Sequence, residues 1–217
     1  MKKNMTIYHG SINIIERPIY KKGNIHNDYG LGFYCTEDKE LAKEWAVTDT
    51  NDGYANRYNL DLEGLKVLDL SKNNDVLTWI TILLQNRVFD IKNEIAKAGK
   101  EYLISHFNIN VSEYDVIIGY RADDSYFAFA EDFLNNTISV RRLSEALRLG
   151  NLGKQVVLIS KKAFDQITFE GYEKAESTVY YPLRKNRNDL ARSEFLNNRK
   201  GILSNDDVYL IDLIRGK

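Results

Sequence analysis

The sequence predicts an α+β fold. Strand patterns gather near the start and return after Gly153, while helical patterns fill the middle and the end. The order therefore lacks the regular strand–helix alternation of a doubly wound nucleotide-binding fold. No Gly-x-Gly-x-x-Gly opens a helix, and no phosphate-loop signature is present.

Met5 to Tyr8 reads as a strand ending at His9. Glu16-Arg17-Pro18-Ile19 is expected to be extended, because the residue before proline avoids the helical region. Phe33-Tyr34-Cys35 is a very short strand, and Thr36 is placed to cap a helix running to Trp45 and Ala46. Leu41, Ala42, Trp45 and Ala46 fall on one face of that helix. After the Asn51-Asp52-Gly53 turn, Ala55–Leu60 and Leu65–Leu70 read as two strands of a meander. Val76–Asn86 and Asp90–Ser105 have helical length and spacing, with Ile91, Ile95, Ala98 and Tyr102 as an inward stripe of the second. Asp115–Gly119 is a buried strand, and the segments Ser125–Leu134 and Val140–Leu149 are helices. Gln155–Ser160, with four consecutive apolar residues, is the best central strand. A helical turn at Lys161–Phe164, a strand at Ile167–Gly171 and helices at Asn188–Asn197 and Asp207–Arg215 complete the chain. Val208, Ile211 and Ile214 share one side of the last helix.

A chain of 217 residues holds one well-buried domain, with residues 75–110 as a helical insertion. With 30 basic against 31 acidic residues, the total charge argues for neither nucleic acid nor an anionic membrane. One cysteine excludes an internal disulfide framework and a cysteine-based zinc site. His26 and His106 have no partners at metal-ligand spacing. The start of the chain lacks the apolar stretch of a signal peptide, and no apolar run approaches the about 20 residues that span a bilayer. The expected location is the cytoplasm.

The stretch Asp28-Tyr29-Gly30-Leu31-Gly32-Phe33-Tyr34-Cys35-Thr36 organises the rest. Its glycines allow a sharp turn and a close approach of another group. Tyr34 and Trp45 read either as core aromatics or as two rings bordering one concave space suited to a flat ligand. Upstream stands Tyr8-His9-Gly10-Ser11. Together these phrases resemble the ADP-ribosyltransferase superfamily. More closely, they resemble a bacterial domain-of-unknown-function family within it. Further matching phrases follow in order: Ile117-Ile118-Gly119, Ala122-Asp123-Asp124, the strand opening at Gln155, and Lys162-Ala163-Phe164.

The resemblance implies a split β-sheet core, a helical insertion, a helical C-terminal tail and NAD as substrate. By motif, His9 would hold the NAD ribose, Tyr34 would stack on the nicotinamide, and Trp45 would be the second aromatic. Gly10, Ser11, Gly32 and Phe33 would line the same site, and Arg121 would reach the pyrophosphate. Better-known members carry a catalytic Glu where this chain has Gln155, and an amide is neither an anion nor a useful base. Asp123 and Asp124 are expected to supply that charge, or else to form a turn and a helix cap. The implied activity is transfer of ADP-ribose to a macromolecular acceptor, protein or nucleic acid, by an intracellular toxin or defence effector with a neutralising partner (an antitoxin). Two rivals stand beside it: an NAD glycohydrolase, and a non-catalytic scaffold that binds a nucleotide or a partner.

Overall fold

The computed structural model describes residues 3–72, 76–91, 93–122, 124–149, 153–199 and 207–216. Two sheets form the frame. The first joins β1 (Asn4–Ser11), β3 (Gly53–Asp61) and β7 (Ile167–Ala175), antiparallel in the order β1-β3-β7. The second has the order β2-β6-β5-β4, from β2 (Phe33–Cys35), β6 (Lys154–Leu158), β5 (Val116–Tyr120) and β4 (Val67–Asp69). Helices α1 (Lys39–Ala46), α2 (Val76–Asn86), α3 (Glu94–Phe107), α4 (Asp124–Leu134), α5 (Val140–Ala146), α6 (Lys161–Asp165), α7 (Ser177–Arg199) and α8 (Leu210–Ile214) surround them.

The second sheet is covered on both faces, which explains why its strands read as unbroken apolar runs. Val116 and Ile118 of β5, with Val156 and Leu158 of β6, pack with Ile7 of β1 and with Tyr58 and Leu60 of β3. Ile117 and Val157 face the opposite way, into a larger cluster with Trp79, Ile80 and Leu83 of α2. Phe129 and Phe133 of α4 and Phe195 of α7 belong to that cluster too. Leu103 of α3 and Leu210 of α8 complete it, so the helical insertion shares its core with the rest of the chain. Burying each such large side chain is worth about 1.5–3 kcal/mol.

One backbone bridge joins the two sheets. The Tyr8 N–H donates to the Thr36 carbonyl at 2.7 Å, and the Thr36 N–H donates to the Tyr8 carbonyl at 2.9 Å. Continuing this antiparallel ladder would pair Gly10 with Tyr34. Instead β1 goes on with β3 alone, through His9 opposite Asn56 and Gly10 opposite Ala55. The sheet is split from His9 onward.

Several expectations are corrected. Thr36 does not cap α1, since its backbone is engaged with Tyr8; Asp38 caps it, accepting from the Glu40 and Leu41 N–H groups. β3 and β4 form no meander, because β4 pairs in parallel with β5 in the other sheet. The buried face of α3 is Ala96, Gly99 and Leu103, while Ile95 is exposed. The missing side chain at Gly99 makes room for Leu210, which is also the buried residue of α8 in place of Val208, Ile211 and Ile214. α7 begins eleven residues before Asn188 and contains Pro182. Contacts from Tyr180, Arg184 and Arg187 to α1 and its end accompany this early start.

Candidate functional site

A cleft of about 690 Å³ opens where the sheets part. That size lies within the range of about 300–1,000 Å³ usual for small-molecule sites. Its lining includes His9, Gly10, Gly32, Phe33, Tyr34, Trp45, Arg121 and Gln155, eight residues singled out from the sequence. Ser11 stands apart at the end of β1, where its hydroxyl accepts the Asn13 N–H at 3.2 Å. Asp123 lies outside the described residues. Asp124 opens α4, and its side chain is also outside them.

His9 replaces the lost ladder bond with its side chain. Nδ1 lies 2.7 Å from the Tyr34 carbonyl oxygen. That oxygen can only accept, so Nδ1 carries the proton and Nε2 is left as an acceptor. The ring stacks on Phe33, with centroids 4.4 Å apart. Burial lowers the His9 pKa from the usual 6.5, and the bond to Tyr34 only partly opposes this. Neutral imidazole is therefore the form at pH 7. A depressed pKa gives stability that is present above 6.5 and lost as pH falls through the folded value. Melting curves between pH 7 and 5 should show this acid loss in the parent and a smaller one in His9→Asn.

Tyr34 is tied by its hydroxyl. Its O–H donates to the Gly30 carbonyl at 2.6 Å and accepts the Tyr29 N–H at 3.1 Å. Gly30 has φ +72°, a conformation that glycine adopts without strain. The hydroxyl thus holds the turn that carries Asp28, while the ring lines the cleft. Its role is partly structural, so Tyr34→Ala would disturb the fold as well as the site.

Gly10 is a packing residue. A Cβ there would lie 2.1 Å from the Ala42 carbonyl oxygen of α1, which backbone cannot relieve cheaply. Gly10→Ala should lower stability by about 1–3 kcal/mol, read as a lower thermal midpoint. Gly32 likewise sits against Val157 of β6. The close fit at Gly10 brings Trp45 to the cleft wall, where the Arg121 guanidinium lies 4.7 Å from its ring centroid. The Trp45 Nε1 is buried with no hydrogen-bond partner among the described residues.

Gln155, second residue of β6, is 5% exposed. Its Nε2 donates to Asp28 Oδ2 at 3.2 Å, and its Oε1 is buried without a partner among the described residues. Asp28 is equally buried, and Oδ2 also accepts the Ala122 N–H at 2.9 Å. Its Oδ1 faces Arg87 at 3.5 Å. Burial raises the Asp28 pKa from the usual 3.8, against the Ala122 N–H, the Arg87 and Arg121 charges and the Gln155 amide.

Sequence reasoning missed Asp28 as a site residue, although it opens the organising stretch. It also missed the cleft cations Arg17, Lys22 and Arg87. Asp28 before a Gly-rich turn reads as a turn residue, and its partners lie 94 and 127 positions away. Cys35 is fully buried with its thiol pKa pushed up by that burial, which suits packing and not nucleophilic attack. Among the described residues no group of three or more His, Cys, Asp or Glu is placed to hold a metal. Among them, too, no helix is long and apolar enough to cross a membrane.

The arrangement offers an apolar and aromatic wall, two uncharged acceptors at Nε2 and Oε1, one buried carboxylate and a cationic rim. Those groups suit a ligand with a flat ring, sugar hydroxyls and phosphates. No curated protein and no solved structure matches the chain. Residues 5–169 match the family described as Protein of unknown function (DUF3990), so the chain belongs to that family.

Proposed function

We propose that this protein is an NAD-dependent ADP-ribosyltransferase acting on a macromolecular acceptor. The observation that carries the reading is the meeting of His9, Tyr34, Trp45 and Gln155, spread over more than half the chain, in one cleft at a split between two sheets. The ADP-ribosyltransferase-like split-sheet core expected from the motifs fits this layout.

His9 Nε2 would accept a ribose hydroxyl, and the Tyr34 ring would lie on the nicotinamide. Arg121 and its neighbouring cations would take the pyrophosphate. The ribosyl C–N bond breaks with its electron pair moving to the pyridinium nitrogen, so nicotinamide leaves neutral. The acceptor's lone pair forms the new bond to the same carbon, and its proton passes to solvent. The protein's part is to grip both halves of the substrate in alignment and to stabilise the positive charge on the ribosyl group. A role as a toxin or defence effector, neutralised by a partner, follows by analogy with the superfamily.

Gln155 favours a second reading. An amide activates no acceptor, so water can serve, which makes the protein an NAD glycohydrolase. One experiment separates these readings from a scaffold. The protein is incubated with NAD labelled in the adenylate and with lysate divided into protein and nucleic-acid pools. Label entering one pool supports transfer and names the acceptor class. Free labelled ADP-ribose alone supports the glycohydrolase. Intact NAD, with or without lysate, overturns both.

A further inference from the structure

We propose that Asp28 is the positioning residue of this cleft: it fixes the Gln155 amide with its oxygen toward the ligand and provides the fixed negative charge that Gln155 lacks. This rests on the NAD reading above. An amide side chain has two orientations that differ only in which end is N and which is O. Asp28 Oδ2 lies 3.2 Å from the Gln155 amide and 2.9 Å from the Ala122 N–H. A carboxylate only accepts, so the NH₂ end of Gln155 must face it.

The other end is thereby decided. Gln155 Oε1 belongs to a side chain that lines the cleft, and it is buried with no partner among the described residues. A buried acceptor without a donor is costly unless a ligand supplies one. The ribose hydroxyls are such donors. Asp28 itself also lines the cleft, 5% exposed, with Arg87 at 3.5 Å on its far oxygen. A buried carboxylate is a poor choice for stability alone, because taking a charge from water is unfavourable. A neighbouring positive charge that develops during the reaction makes the same group useful.

Three variants of the full chain test this role: Asp28→Asn, Gln155→Glu and the two combined. Asn at 28 can keep its oxygen where Oδ2 accepts the Ala122 N–H, and it removes the charge. Nicotinamide release should fall by on the order of 10²-fold in kcat, with KM for NAD changed less than about threefold. Gln155→Glu alone sets two carboxylates in contact and should also lose activity. The double variant moves the charge to position 155 and leaves a neutral amide at position 28, so that no two carboxylates meet. It should recover about tenfold or more over either single variant.

A purely structural role would show differently. A folded pKa raised above the unfolded one means that the Asp28 anion reduces stability as pH rises from about 4 through the folded value. Asp28→Asn should therefore melt at or above the parent at pH 7, despite its lost activity. Two results overturn this role alone: Asp28→Asn with the parent's kcat, or a double variant no better than its singles. A parent chain that neither binds nor consumes NAD overturns the NAD reading and this role with it.

Discussion

Replacing His9 by Asn is expected to slow nicotinamide release from NAD by on the order of 10²-fold, with the fold retained. Asn at position 9 still places an N–H where Nδ1 now donates to the Tyr34 carbonyl at 2.7 Å. It has no atom where Nε2 lies, so the acceptor offered to the ribose disappears. Gln reaches further and can place its amide oxygen near that point. His9→Gln should therefore keep more activity than His9→Asn. The reverse order would show that His9 matters through its bond to Tyr34 and its stacking on Phe33.

Arg187→Ala should give the largest loss of stability, about 2–3 kcal/mol, or roughly 5–10 °C in the thermal midpoint. Arg187 of α7 binds Glu44 of α1 with two hydrogen bonds, of 2.9 Å and 2.7 Å. The Glu44 side chain is 4% exposed, so losing its partner leaves a carboxylate in a poorly solvated place. Water reaches Arg187, which keeps the effect below the about 3–5 kcal/mol of a fully buried pair. The pair also docks α7, which brings Arg184 and Asn188 to the cleft. Binding of the ligand should weaken along with stability. Combining Glu44→Gln with Arg187→Met should restore most of the stability, because neither charge is then stranded.

Local patterns carried the elements that local chemistry determines. Phe33–Cys35 and Val76–Asn86 match β2 and α2 at both ends, and the apolar run after Gln155 is a strand within the second sheet. What depended on distant partners was hidden. The parallel pairing of β4 with β5 has no local signal, so two successive strands looked like a meander. Gly99 gives no sign that Leu210 fills its missing side chain, and the inward stripe of α3 was therefore placed one residue off. The first half of α7, which contains Pro182, has tethers to α1 that are far apart in sequence and gave no local signal.

The site was legible to the same degree. Motifs named His9, Tyr34, Trp45 and Gln155, the loop before Ala122 offered Arg121, and all five line the cleft. The motifs also pointed to a missing acid and looked for it near Asp123, the next acidic pair after a strand. Asp28 was in view throughout, but only the folded chain brings it against Gln155 and Ala122.

Calorimetric titration of NAD into the purified chain, followed by assay of released nicotinamide, tests the central claim most directly. The account predicts saturable binding at one site per chain and nicotinamide release, both weakened in Trp45→Ala and the second nearly lost in His9→Asn. Neither binding heat nor nicotinamide, from a chain that melts cooperatively, would contradict it.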